Sequence, residues 1–290
     1  MEKELIRFQI ADIVFSVCSG QPPRAVRLDA SYLGFVCAKQ PEIGIYACYD
    51  GLPQLLLQNE DMVFDSEGPW SLYRIEERNA LVLGASAYGS LPYRIAIFDD
   101  DFAQVNLYSG PERLADSLFP DPLEYPFPQV LMICLLAGGR GVMVHACGID
   151  DGGQGYLFAG NSTHGKTTMA RLWQDEALIL NDDRIVLRWR EGRFWMYGMP
   201  WHGDYTGVSP QGVPLEKVFF LRHAEANEVR RREDVAAASM LLTRCFPPLW
   251  DAEGMRFTLD FCAQLVADVP CYELGFVPDK NVLELVRCLN

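Results

Sequence analysis

Positive charge is what this sequence is short of. Its 25 Lys and Arg face 39 Asp and Glu, a formal net charge of −14, and a field of that sign repels a nucleic-acid backbone or an anionic membrane surface. Long apolar runs are missing too: the longest, Val130 to Ala137, falls far short of the ~20 residues that cross a bilayer. The opening MEKELIRFQI mixes charges from the start and lacks the basic-then-apolar order of a secretory signal. The nine cysteines are an odd number, with no C-x-x-C pair and no Cys/His group at zinc spacing. That usage fits a reducing cytoplasm. Internal repeats and low-complexity tracts are also absent. A nucleotide is also an anion, so if one binds here it must be captured by local backbone amides and a few placed cations.

What is present is enough apolar mass, 49% of 290 residues, to fill one large domain or two modest ones. From Phe8 to about Tyr108 the chain is a series of short β-like runs, among them DIVFSV, YLGFV, IGIYACY, SLYRI, ALVLGA and YRIAIF, broken by Gly, Pro, Asn and Asp. Phe119 to Pro128 then holds four prolines in ten residues, which excludes helix and central strand and marks a connector. The expected organisation is a β-rich N-terminal domain over 1–120 and an α/β domain over 121–290. In the second, PQVLMICLLAGG reads as a buried helix, and GVMVHACGI and GYLFAG as strands joined by DDGGQG. A helix follows from Lys166 to about Gln174, then a strand ALIL, a hairpin of IVLRW and RFWMYG across Glu191-Gly192, and a strand KVFFL. Further helices are expected over Asp234 to Cys245, capped by Asp234, over Thr258 to Ala267 and over Asn281 to Leu289, with CYELGF a strand.

Gly160 to Thr167 spells G-N-S-T-H-G-K-T, a full match to the phosphate-loop (Walker A) pattern G-x-x-x-x-G-K-[ST], with strand residues before it and a helix-compatible MARLW after it. The nucleotide-binding residues are then Gly160, Asn161, Ser162, Thr163, His164, Gly165, Lys166, Thr167 and Thr168. Small residues let successive amides converge on an anion, and the helix aims its positive end at the same point. Lys166 bridges the outer phosphates and the Thr167 hydroxyl serves Mg²⁺. Thr163 stands where a glycine is frequent, and His164 where many such loops have a small residue. Both fit if their φ angles are negative, with His164 facing either the phosphates or solvent.

The second landmark is LILNDD, Leu178 to Asp183, whose adjacent carboxylates lie 16 and 17 residues beyond Lys166. If the intervening helix packs back, this strand runs beside the phosphate-loop strand and ends at the Mg²⁺ and γ-phosphate region. One carboxylate can hold the metal while its neighbour takes a proton from an attacking hydroxyl.

GNSTHGKTT followed by LNDDRIV resembles the G-x-S-x-x-G-K-[ST] and A-D-D-R-V segments of HPr kinase/phosphorylase, and phosphoenolpyruvate carboxykinases share the same style. The resemblance covers His145 to Arg184 well and the rest of the second domain loosely. It implies a C-terminal P-loop domain of the HPr kinase/phosphoenolpyruvate carboxykinase type, with Asp182 the catalytic acid/base, Lys166 on the phosphates, Asp183 and Thr167 the Mg²⁺ ligands, and His145 a catalytic neighbour of the carboxylates. From its own pattern, His145 is equally a half-buried strand histidine. The glycine-rich signature after the aspartates and the HPr-docking loop of that family have no match here. YGMPWHGDYTG instead resembles the G-[TM]-P-W-x-G segment of other HPr-kinase-like proteins. Pro200, Gly203 and Gly207 suit a loop over the site, while His202 and Asp204 either reach substrate or solvate a turn. Arg222, Arg230, Arg231 and Arg232 read as a solvated charge run, or as a phosphate neutraliser.

The expected activity is an ATP-dependent, Mg²⁺-requiring cytoplasmic kinase that phosphorylates a hydroxyl on a protein, peptide or small molecule. The alternatives are a phosphoenolpyruvate-carboxykinase-like enzyme, for which 290 residues leave little room, and a nucleotide sensor without turnover. ATP is the default nucleotide, because the guanine-reading N-K-x-D is absent. The expected partners are the nucleotide and the acceptor, with no nucleic acid and no membrane; assembly into a homo-oligomer stays open.

Overall fold

The structure is a computed structural model, which describes residues 5–20, 25–55, 58–84, 91–110 and 121–289. Met1 to Glu4 of the opening segment, the last residue of ALVLGA and the start of the proline stretch, Phe119 and Pro120, lie outside the described residues. The chain forms two compact units, divided after Met132. Among the described residues no helix is long and apolar enough to cross a membrane.

The first unit is built on one eight-stranded sheet. Its strands are β1 (Leu5–Ile10), β2 (Ile13–Ser19), β3 (Ile43–Cys48), β4 (Met62–Asp65), β5 (Trp70–Ile75), β6 (Arg78–Gly84), β7 (Pro92–Phe98) and β8 (Gln104–Ser109), in the order β1-β2-β3-β8-β7-β6-β5-β4. β3 pairs in parallel with β2 and β8, and the other pairings are antiparallel. Strict alternation of buried and half-buried residues along IGIYAC shows why it is a strand with one face in the core. YLGFV is not a strand. It lies mostly in a 3-10 helix, Ala30–Phe35, because the Asp29 carboxylate accepts from the Ser31 amide at 2.9 Å and starts a helical turn. Arg94 of β7, 1% exposed, donates to the carbonyls of Asp121 at 3.1 Å and Pro122 at 3.4 Å.

A helix α1 (Phe127–Ala137) leads into the second unit. There follow β9 (Val142–Asp151), β10 (Gln154–Ala159), α2 (Lys166–Trp173), β11 (Leu178–Asn181), β12 (Arg184–Arg190), β13 (Arg193–Tyr197), β14 (Gly212–His223), β15 (Glu228–Arg232), α3 (Asp234–Leu242), α4 (Ala252–Asp268), β16 (Cys271–Phe276) and α5 (Asn281–Cys288). β10 lies between antiparallel β9 and parallel β14, while β9 also pairs with β12, β12 with β13, and β13 with β14. These five strands are therefore hydrogen-bonded in a closed cycle. β16 extends it in parallel beside β14, and β15 is the outer, antiparallel edge.

β10 is buried on both faces, which is why GYLFAG reads as one apolar run. Tyr156 and Phe158 pack under Met169, Ala170 and Trp173 of α2 and Val282, Leu283 and Val286 of α5. Leu157 and Ala159 face the other cluster, with Ala237 and Leu241 of α3 and Phe261, Cys262 and Leu265 of α4. The parallel strands β10, β14 and β16 bring their carboxyl ends to one edge, where the segment 160–165 leaves β10.

Three expectations are corrected. α3 ends at Leu242 and not at Cys245, because the chain turns there to pair with β9: the His145 amide donates to the Arg244 carbonyl at 2.7 Å, and Cys245 bridges Val144. Its N-cap is Glu233, with Asp234 the first helical residue at φ +52°. α4 starts at Ala252, six residues before Thr258, because the Asp251 carboxylate caps it through the Glu253 amide at 3.0 Å.

Candidate functional site

The loop 160–165 joins β10 to α2. Gly165 caps the helix at φ +90°, and a Cβ there would sit 2.7 Å from the Phe276 ring, so conformation and space both require glycine. Thr163 overturns its expectation: its φ is +71°, a left-handed conformation that strains a β-branched residue and explains why the pattern often has glycine at that place. No hydrogen bond to protein engages the amides of Ser162, Thr163 and Gly165 among the described residues. Lys166 is 7% exposed and donates from Nζ to the carbonyls of Gly160 at 3.1 Å and Asn161 at 3.0 Å. Burial lowers the pKa of its ammonium, against the pull of Asp183 and Asp182.

β11 does not run beside β10. It pairs with β9 on the side away from β10, and β11 and β12 form one line along β9, with Asn181 opposite Gly148 and Arg184 opposite His145. Asp182 and Asp183 occupy a bend inside this line, and the Asp183 carbonyl keeps its ladder bond to the Ala146 amide at 3.1 Å. Asn181, fully buried, makes the bend. Its side-chain oxygen accepts from the amides of Asp183 at 2.7 Å and Arg184 at 2.9 Å, and its Nδ2 donates to the carbonyls of Met199 at 2.9 Å and Trp201 at 2.8 Å. One carboxamide thus uses all its capacity to tie the aspartates to the segment after β13.

The two carboxylates have different surroundings. Asp182, 1% exposed, accepts from the Thr167 hydroxyl at 2.8 Å, the Gly203 amide at 2.8 Å and the Tyr205 amide at 3.0 Å. A Cβ on Gly203 would come within 3.0 Å of the same carboxylate. Asp183 is 20% exposed, accepts from His145 Nε2 at 3.0 Å and pairs with Arg184. Burial pushes the Asp183 carboxyl up, but the His145 hydrogen bond and the charges of Arg184, His145 and Lys166 outweigh it and hold it below the usual carboxylate range.

Lys166, Thr167, Asp182, Asp183 and His145 therefore meet at one end of the sheet. His202 and Asp204 are exposed, and His202 Nδ1 lies 2.8 Å from the neighbouring Gly203 carbonyl. His164 is half-buried, and its ring stands 5.7 Å from that of His223. The arginine group is largely solvated, with Arg230 and Arg231 exposed, and it is also tied into a strand edge. Arg230 to Arg232 belong to the edge strand β15, where Arg232 and Arg222 both bind Glu273, Arg222 also pairs with Glu228, and Arg231 lies over the Tyr272 ring.

No family model and no curated protein matches this chain. Among solved structures it is similar to the HPr(Ser) kinase/phosphatase from Coxiella burnetii, at 12% identity and a TM-score of 0.31, over 50% of this chain and 85% of that one. That protein is of the family that the loop and aspartate segments resemble, but a likeness this slight carries no inference about activity.

Sequence reasoning missed two residues that shape this end of the sheet. Asn181 was visible only as a polar residue closing an apolar run. Arg244, whose carbonyl holds the His145 amide, was hidden inside an expected helix.

Proposed function

We propose that the chain is an ATP-dependent phosphotransferase acting on a hydroxyl. The observation that carries this reading is the 2.8 Å hydrogen bond from Thr167 to Asp182. It ties the first turn of the loop helix to the aspartate bend, so phosphate-binding and carboxylate chemistry share one centre. The donor set fits Mg²⁺: the Thr167 hydroxyl and the Asp182 carboxylate are hard oxygens. No cluster of three or more His, Cys, Asp or Glu suited to a metal occurs among the described residues. Mg²⁺ characteristically takes one or two protein oxygens and completes its shell with phosphates and water. When bound, it neutralises charge on the phosphates.

The residues then divide the work. Free amides of the loop and Lys166 cradle the phosphates, with Lys166 exchanging its own-loop carbonyls for phosphate oxygens. Asp182, buried under three donors, stays beside Thr167 as the metal-side carboxylate. Asp183, ionised and oriented by His145, accepts the proton of the attacking hydroxyl. The hydroxyl oxygen bonds to the γ-phosphorus, the bond to the bridging oxygen breaks, and ADP leaves with that electron pair. This exchanges the tasks that the family resemblance implies for the two aspartates.

The test measures nucleotide affinity and ATP hydrolysis, with water as the substitute acceptor, in the parent and two variants. Asp182→Asn is expected to weaken Mg²⁺-dependent nucleotide binding. Asp183→Asn is expected to bind normally and lose on the order of 10²- to 10⁴-fold in turnover. Reversed phenotypes restore the assignment from resemblance. A parent that binds MgATP tightly but never turns it over is a sensor, and one that binds no nucleotide refutes the reading outright.

A further inference from the structure

On its other flank the loop leans toward β14. A Cβ placed on Gly160 would meet the His164 Cβ at 3.0 Å and the Leu221 Cβ at 3.4 Å, and the His164 ring stands edge-on to His223 with 77° between planes. His164 Nδ1 is buried and has no hydrogen-bond partner among the described residues. Arg244 repeats the pattern. One terminal nitrogen reaches the Met240 carbonyl at 3.0 Å and the Thr243 hydroxyl at 2.6 Å, and the guanidinium lies 5.9 Å from the Phe220 ring centre, yet its Nε is buried without a partner.

A buried polar atom left unpaired is costly, and native structures keep such atoms chiefly where an ion, a water or a function accounts for them. Here one orphaned nitrogen belongs to the loop histidine and the other to an arginine whose charge acts on it. The charges that act on His164 come from His223, Arg244 and Lys166, all cationic when protonated. Burial and these neighbours hold His164 below the usual histidine range, and burial alone lowers Arg244. In a chain of net charge −14 this flank gathers basic side chains. An oxyanion would supply what both residues lack, lone pairs for their N–H groups and negative charge.

We propose that His164, His223 and Arg244 form a second oxyanion subsite beside the loop, which holds a phosphate or carboxylate group carried by the acceptor. The subsite stands on this geometry, while the identity of its occupant as acceptor rests on the phosphotransferase reading. The acceptor class that follows is a hydroxy compound with its own anionic group, the hydroxyl receiving the γ-phosphoryl and the anion fixing its position.

The experiment saturates the protein with Mg²⁺ and a non-hydrolysable ATP analogue, then titrates inorganic phosphate and, in parallel, acetate by calorimetry. One phosphate or acetate is expected to bind per nucleotide-loaded chain, and the tighter of the two identifies the anionic group. His223→Gln and Arg244→Gln are each expected to weaken it on the order of tenfold, with the analogue's affinity unchanged. Arg244→Lys keeps the charge and part of the binding, which separates a lost contact from a lost fold. Because a bound anion favours the protonated His164 ring, which burial and its cationic neighbours hold below the usual histidine range, affinity should also rise as pH falls below that range. Phosphate that displaces the analogue, anions that bind both variants as tightly as the parent, or no anion bound would each overturn the subsite. A parent that binds no analogue sinks the phosphotransferase reading instead. The subsite is then decided on Lys166→Ala protein, where phosphate binding that still depends on His223 and Arg244 is the expected result.

Discussion

Arg94 in the first unit and Lys166 in the second are both buried cations that donate to main-chain carbonyls, of Asp121 and Pro122 in one case and of Gly160 and Asn161 in the other. The chemistry of the two groups separates them. A guanidinium is a planar fork that never loses its proton, so at 1% exposure it acts as a fastener for the chain that follows β8. An ammonium on a flexible stem can change partners, and among the described residues Lys166 holds carbonyls of its own loop while two carboxylates act on it. Buried charge in the first unit secures the fold. In the second it is gathered where a ligand could use it.

The sharpest way to break that contrast is to remove both cations. Lys166→Ala is expected to weaken ATP binding by roughly 100-fold or more, since it deletes a charge-assisted bond to phosphate, with little change in thermal unfolding. Arg94→Ala is expected to cost about 2–4 kcal/mol of stability by leaving buried carbonyls unpaired, with ATP affinity intact in whatever fraction stays folded. Calorimetry and urea denaturation on each variant measure both quantities. If Arg94→Ala lost nucleotide affinity in the folded state, the division between fastening and binding would be wrong.

Asn181→Ala comes next and blurs the contrast deliberately, because this residue is a fastener inside the site. Losing its four hydrogen bonds should cost about 2–3 kcal/mol and lower turnover along with stability, as the aspartate bend relaxes. Full turnover in the folded variant would mean that the bend holds itself.

A smaller effect follows from Asp183. Its folded pKa lies below the unfolded value, so its contribution to stability is complete above the ordinary carboxylate pKa of about 4 and disappears as pH falls through the folded value. Asp183→Asn should flatten the acid limb of the stability curve below that pH and leave its neutral part parallel to the parent's; an unchanged acid limb would rule out the His145 and Arg184 pairing as its source. The smallest expected effect is at Thr163, where glycine relieves the left-handed strain of about 1–2 kcal/mol but returns part of it as freedom of the unfolded chain. Thr163→Gly should raise stability by about 0.5 kcal/mol, measurable by denaturant midpoint.

Local pattern made much of this legible. The loop motif located β10, α2, Lys166 and Thr167, and the apolar runs located most strands, because these signals reside in adjacent residues. What escaped depends on partners distant in sequence. YLGFV is the local exception: its composition is β-forming, but Asp29 just upstream caps a helical turn. β15 is so charged that it reads as a solvated run, and only its pairing with β16 and Glu273 makes it a strand. The aspartate pair looked like a strand end because the bend that carries it is created by Asn181 reaching Met199 and Trp201, 18 and 20 residues away. The Arg244 turn exists only because β9 offers it a ladder position.

Two of the three donors on the Asp182 carboxylate are the amides of Gly203 and Tyr205, on one short segment. Protons in such bonds trade with deuterium from the solvent slowly, for as long as the carboxylate keeps them. A cation that drew those oxygens away would quicken the trade at both positions at once. The segment is thus a built-in isotope clock for the state of the buried aspartate, readable without knowing the acceptor and without a single turnover.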